Sequence, residues 1–173
     1  MILGGSLGAR TLNDSMVEGL QTLVNAGVQV IWQCGKFYHE EMTAKLGKTE
    51  HGGLVHLFEF LKEMDLAYAT ADVVISRAGA LSVSELSIAG RPTIFVPSPN
   101  VAEDHQSKNA KAMVDNDAAI LVKDVDAREQ LISRAIELIN DEARKETLQK
   151  KIKAMAKPNA AEDIVKEIVK LIK

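Results

Sequence analysis

A single cysteine, Cys34, in 173 residues leaves the thiol no partner within the chain. A disulfide framework is therefore excluded, and the composition suits a reducing, cytoplasmic setting. No apolar run approaches the roughly 18 residues that cross a bilayer. The first ten residues lack the basic start and long apolar stretch of a signal peptide. Strong charge of either sign is also missing: the formal net charge is -3, which speaks against nucleic acid as the main partner. Four prolines and 11 glycines make no linker, and there is no internal repeat or low-complexity segment. His39, His51 and His56 show no metal-ligand spacing with acids or with Cys34, so no metal site is read from them. No Gly-x-Ser-x-Gly nucleophile elbow occurs. Cys34 at a strand end reads as a buried hydrophobe.

What remains is an ordinary globular composition, 46% hydrophobic and 26% charged, in a chain long enough to bury a core without cross-links. Short apolar runs at 28–33, 54–58, 72–76, 93–96 and 119–122 alternate with helical patterns. That alternation predicts βαβ units and a parallel sheet with helices on both faces. Leu12, Met16, Leu20, Leu23 and Val24 recur at helical spacing and stop at Gly27. Leu131, Ala135, Leu138 and Ile139 form a second helical set, and Ile164, Val165, Ile168, Leu171 and Ile172 a third. Pro158 separates the third from a Lys-rich helix, whose 145–157 stretch reads as a solvated face. Asn159 and Glu162 are placed to cap the last helix. The opening Met1-Ile2-Leu3-Gly4-Gly5 leaves a very short first strand. The expectation is a chain that starts inside a strand, as a fragment or a stand-alone half; a complete protein with a short first strand is the alternative.

Three loops carry the chemistry. Gly4-Gly5-Ser6-Leu7-Gly8-Ala9 lies between the strand stub and a helix. It is neither the dinucleotide fingerprint nor a Walker A loop. Its glycines and Ser6 can nevertheless bring an anion to the unpaired N–H groups of a helix start. The alternative is a tight turn in which Ser6 merely caps the helix. Ser76-Arg77-Ala78-Gly79-Ala80-Leu81-Ser82-Val83-Ser84-Glu85 again runs from a strand into a helix. Here Arg77 could face phosphate. Glu85 is either the far end of a capping box begun by Ser82 or a carboxylate that accepts two sugar hydroxyls. The third loop runs from Pro97 through Asp104, His105 and Gln106 to Asn109 and Ala110, at the carboxyl end of a strand. Gln106 and Asn109, three apart on a helix, offer amides to a polyol; alone, the segment would pass for a generic loop and helix start. If the sheet is doubly wound, all three loops meet at one edge, where an anionic ligand with a polyol part fits best.

In this order, these loops resemble the C-terminal half of the MurG family of bacterial peptidoglycan glycosyltransferases, over nearly the whole chain. The runs that carry the resemblance are 4–9, 76–85 and Ala102-Glu103-Asp104-His105-Gln106-Ser107-Lys108-Asn109-Ala110. The resemblance implies one half of a two-domain GT-B enzyme that holds UDP-N-acetylglucosamine for transfer to a lipid-linked muramoyl-pentapeptide. It places Ser6, with Gly5 and Gly8, on the diphosphate side. Phe60 and Leu61, with Met64, fall beside the uracil, where backbone groups of Leu61 read the base. Ala80, Leu81 and Ser82, after Gly79, face the phosphates, and Val83 and Ser84 count as further donor-binding positions. Glu85 falls on the ribose, and Gln106, with His105 and Asn109 nearby, on the N-acetylglucosamine hydroxyls. Arg77 is expected to shape the phosphate loop without a catalytic role.

The same resemblance implies no cofactor or metal, no catalytic residue in this half, and an acceptor domain and general base outside it. It also implies a full enzyme peripheral on the cytoplasmic face of the plasma membrane. A UDP-N-acetylglucosamine 2-epimerase-like half, a non-catalytic donor-binding subunit with a partner chain, and a plain structural domain remain as alternatives. The last helix, 160–173, is expected to lack its normal cover.

Overall fold

The computed structural model describes residues 1–99 and 104–172. Six short strands form one all-parallel sheet in the order β3-β2-β1-β4-β5-β6. In chain order they are β1 (Ile2–Leu3), β2 (Val30–Gln33), β3 (Val55–Phe58), β4 (Val74–Ser76), β5 (Thr93–Phe95) and β6 (Ile120–Leu121). The helices are α1 (Arg10–Asn25), α2 (His39–Leu46), α3 (Met64–Thr70), α4 (Ala80–Ala89), α5 (His105–Asp115), α6 (Ala127–Asn140), α7 (Glu142–Ala154) and α8 (Ala160–Ile172). The chain winds outward from β1 to β3, crosses back, and winds outward again from β4 to β6. The order of winding therefore reverses between β1 and β4.

Strand side chains alternate between the two faces, as the pleat requires. Ile2, Ile75 and Ile94 face one core, which includes Leu12, Met16, Leu20 and Leu23 of α1, Met42 of α2 and Leu131, Ala135 and Leu138 of α6. Leu3, Val74 and Phe95 face the other, with Ala67 and Tyr68 of α3, Leu86 of α4 and Ala110 and Met113 of α5. The Lys-rich α7 is solvated over most of its surface but buries Leu148 in the first cluster and Ile152 in the second. Gly19 lets α6 lie close against α1, since a Cβ there would fall on the Ile132 side chain.

The strands sit where the apolar runs predict them but are shorter. Val28 is excluded from β2 because its N–H closes α1 by bonding Leu23 O at 3.1 Å. Asp72 and Val73 precede β4, and Ala119 and Val122 flank β6. α8 starts at Ala160, directly after Asn159 and two residues past Pro158. It buries nothing: Ile164 is 60% exposed and Leu171 86%. Its apolar stripe is uncovered within this chain, as expected.

Candidate functional site

The carboxyl ends of β1 and β4 open at the point of reversal, where doubly wound sheets bind ligands. The glycine loop after β1 is held from below and from the side. Gly4 N–H donates to Gln33 O at 3.0 Å, Gly8 N–H to Gly5 O at 3.2 Å, and Lys36 N–H to Ser6 O at 3.1 Å. Gly8 and Gly35 both have positive φ, 91° and 85°. They also pack backbone to backbone: a Cβ on Gly35 would overlap Gly8, and one on Gly8 would overlap Cys34 O and the Tyr38 ring. Only glycine satisfies the conformation and the approach together. Beneath this loop, Asn13 donates to Cys34 O at 2.9 Å and accepts from Trp32 Nε1 at 3.0 Å, pinning the start of α1 to β2. Burial raises the pKa of the Cys34 thiol, the direction opposite to a nucleophile.

After β4 the chain reaches Gly79, the N-cap of α4, and the helix begins at Ala80. Ser82 and Glu85 therefore both lie inside the helix, and the capping-box reading of that pair fails. Ser84 spends its hydroxyl proton on Ala80 O at 2.9 Å. Glu85 is exposed and accepts a hydrogen bond from Tyr68 Oη of α3 at 3.2 Å. The third loop folds back on α5: Ser98 N–H donates to Gln106 Oε1 at 2.9 Å. Asn109 Nδ2 donates to Ala78 O at 3.0 Å, tying α5 to the β4–α4 turn. With its carbonyl occupied, the Gln106 amide has its NH₂ group left to offer a ligand. The 100–103 part of this loop, including Ala102 and Glu103 of the family-like run, lies outside the described residues.

These segments enclose a cleft of about 510 Å³. Gly5, Ser6, Gly8, Arg77, Gly79, Ser82 and Gln106 all line it, so the cleft brings together residues predicted from all three loops. Ala80, Leu81, Val83, Ser84, Glu85, His105 and Asn109 are not part of its lining; they belong to the first two turns of α4 and α5. Phe60, Leu61 and Met64 lie apart, between β3 and the start of α3. Phe60 is exposed and Leu61 buried. Leu61 N–H is already bonded to the buried Gln33 Oε1 at 2.8 Å, so the backbone group it can present to a base is its carbonyl.

The helices α1, α4 and α5 all start at this edge, and among the described residues their N-cap positions, Ala9, Gly79 and Asp104, make no side-chain capping bond. The same is true of α2, α3 and α6, whereas α7 is capped by Asp141, which accepts from Arg144 N at 2.9 Å. A helix start offers N–H donors and the positive dipole end to an anion, and what sets this edge apart is that three starts meet there. A larger cleft, about 680 Å³, opens at the opposite strand ends around Met1, Val28 and Asp72. It has no such convergence of helix starts.

Sequence reasoning missed four cleft residues: Arg10, Thr11, Tyr38 and Asp124. Arg10 lies over the Tyr38 ring, 4.7 Å from its centroid, and pairs with Glu41. The expectation of no metal also took no account of two Asp-x-Asp triplets, at 115–117 and 124–126. Asp115 pairs with Lys111, Asp117 with Arg144 and Asp124 with Arg77. Among the described residues no three His, Cys, Asp or Glu side chains cluster to hold a metal.

A doubly wound parallel sheet whose switch-point crevice gathers three helix starts is an α/β architecture suited to nucleotide or phosphate ligands. The chain belongs more specifically to the glycosyltransferase family 28 C-terminal domain family, which it matches over residues 1–168. It is 50% identical over 171 residues to the UDP-N-acetylglucosamine–N-acetylmuramyl-(pentapeptide) pyrophosphoryl-undecaprenol N-acetylglucosamine transferase of Cytophaga hutchinsonii, covering 99% of this chain and 45% of that protein. To the Flavobacterium psychrophilum protein of the same name it is 51% identical over 172 residues, covering 99% and 46%. The chain thus spans less than half the length of these relatives. The crystal structure of Acinetobacter baumannii MurG superposes with a TM-score of 0.81 at 30% identity, over 98% of this chain and 48% of that one. A kitacinnamycin glycotransferase, 21% identical, shares the fold with a TM-score of 0.68. Both matches fit one half of a GT-B enzyme.

Proposed function

We propose that this chain is the donor-binding half of an inverting transferase that moves N-acetylglucosamine from UDP-N-acetylglucosamine to a lipid-linked muramoyl-pentapeptide. The observation that carries the reading is the convergence of the starts of α1, α4 and α5 on one cleft. The names of the relatives supply the donor and acceptor. The diphosphate lies against the 4–9 loop and the Gly79–Ser82 turn. The sugar lies toward the Gln106 amide, the ribose against Glu85, and the uracil against the Leu61 carbonyl.

In the reaction an acceptor hydroxyl oxygen attacks the anomeric carbon. The bond from that carbon to the β-phosphate oxygen breaks, and its electron pair leaves with UDP. The hydroxyl proton passes to a base outside this chain. Negative charge grows on the leaving diphosphate, so fixed N–H donors at the helix starts stabilise the transition state more than the ground state. No step requires a metal. A second half supplies the acceptor site, and the complete enzyme works at the cytoplasmic membrane face; among the described residues no helix is long and apolar enough to cross a membrane.

With the acceptor site and the base outside it, this chain alone is expected to give no turnover. An amide NMR titration with UDP-N-acetylglucosamine tests the donor site. Shifts confined to 4–11, 60–64, 77–85 and 98–109 support it, and shifts centred on the Met1 end of the sheet refute it.

A further inference from the structure

One side chain in the cleft has the wrong sign for its setting. Asp124 is a carboxylate on the lining of a space whose other features favour an anion, and by charge alone it should repel a diphosphate. Its bonds give it another role. Arg77 Nη1 donates to Asp124 Oδ1 at 2.5 Å and to Val96 O at 3.0 Å. The second carboxylate oxygen, Oδ2, accepts from Thr11 Oγ1 at 3.0 Å. Both members of the ion pair are largely withdrawn from water, with side chains 16% and 20% exposed.

The three residues come from distant parts of the chain. Thr11 is in the first turn of α1, beside the glycine loop. Arg77 leaves the end of β4, just before the start of α4. Asp124 opens a 3₁₀ turn after β6. One carboxylate thus links the two helix starts that flank the switch point. It also decides where a long, rotamer-rich arginine ends. Unanchored, that side chain would lose conformational freedom each time it met a ligand. Anchored through one nitrogen to Asp124 and Val96, it keeps its other N–H groups in a fixed fork, the geometry that matches phosphate oxygens.

We propose that Asp124 is a positioning residue for the diphosphate, acting through Arg77 and steadied by Thr11. The proposal rests on the donor-site reading above. Its value as a test lies in the sign of the effect. Removing a negative charge beside an anion site should tighten binding if Asp124 acts only through its charge. If Asp124 holds Arg77 in place, the same change should weaken binding, and only for ligands that carry phosphate.

The experiment is an amide NMR titration of the chain with UDP and with uridine, for the wild type, Asp124→Asn and Thr11→Val. Thr11→Val alters no charge and keeps the Arg77–Asp124 pair. The expected result is UDP binding weakened at least fivefold in Asp124→Asn and about twofold in Thr11→Val, with uridine binding within twofold of wild type in both. Unchanged or tighter UDP binding in Asp124→Asn overturns the proposal, as does equal weakening for UDP and uridine. Should Asp124→Asn fail to fold, Thr11→Val decides alone: loss for UDP only supports the role, and no change refutes it. A wild-type chain that binds neither probe overturns the donor-site reading itself.

Discussion

The contact between the first glycine loop and the β2–α2 turn can be tested with two substitutions that share one backbone cost and differ in space. Gly5 and Gly35 both have positive φ, 76° and 85°. Nothing lies within 4 Å of a Cβ added to Gly5, whereas one added to Gly35 overlaps the backbone of Gly8. Gly5→Ala should therefore cost only the left-handed strain, about 1–2 kcal/mol, less the roughly 0.4–1 kcal/mol that alanine returns through the unfolded chain. Gly35→Ala carries the same terms plus an overpacking cost of about 1–3 kcal/mol, because the obstacle is main chain and cannot rotate away. At about 2–4 °C per kcal/mol for a chain of this size, thermal melts followed by circular dichroism will separate the two variants. Gly35→Ala should also weaken UDP binding, since relief of the overlap displaces the loop that carries Ser6. Equal melting temperatures for the two variants would refute the packing account of this site.

Tyr68→Phe removes the donor to Glu85 and should cost about 0.5–1.5 kcal/mol; it should also narrow the preference for UDP over its 2′,3′-dideoxy analogue, and an unchanged ratio would deny Glu85 its ribose role. Burial, with Glu85 adding to it, raises the Tyr68 pKa above its ordinary value. The folded state then keeps a proton that the unfolded state loses above about pH 10, so stability falls as pH rises past that point. The decline should be shallower in Tyr68→Phe, and identical alkaline profiles would contradict this. Deleting residues 160–173 removes a helix that buries nothing here, so the melting temperature should move by no more than about 3 °C; a large drop would mean that α8 packs on the domain.

The sheet was legible because buried parallel strands announce themselves as short apolar runs, and Val74–Ser76 and Thr93–Phe95 fall inside two of them. Ser6 and Arg77 were legible because each follows a strand and precedes a helix, and Gln106 because it opens the helix that follows the loop after β5. The rest depended on relations that no local pattern encodes. The start of α4 at Ala80 and not at Ser82 is decided by where β4 ends and Gly79 turns. Asp124 reads as a surface acid until Thr11, 113 residues away, and Arg77, 47 residues away, close on it. Gly35 looks like any turn glycine until Gly8 is laid against it. Gln33 has the form of a strand residue, yet it fixes which backbone group Leu61 can offer.

Calorimetric titration with UDP-N-acetylglucosamine, UDP and ADP, on the wild type and on Glu85→Ala, decides whether the switch-point cleft holds a uridine diphospho-sugar. Both uridine ligands should bind in preference to ADP, and Glu85→Ala should weaken them while leaving the melting temperature within about 3 °C. Equal affinity for UDP and ADP, or uridine binding untouched by the loss of the Glu85 carboxylate, would contradict it.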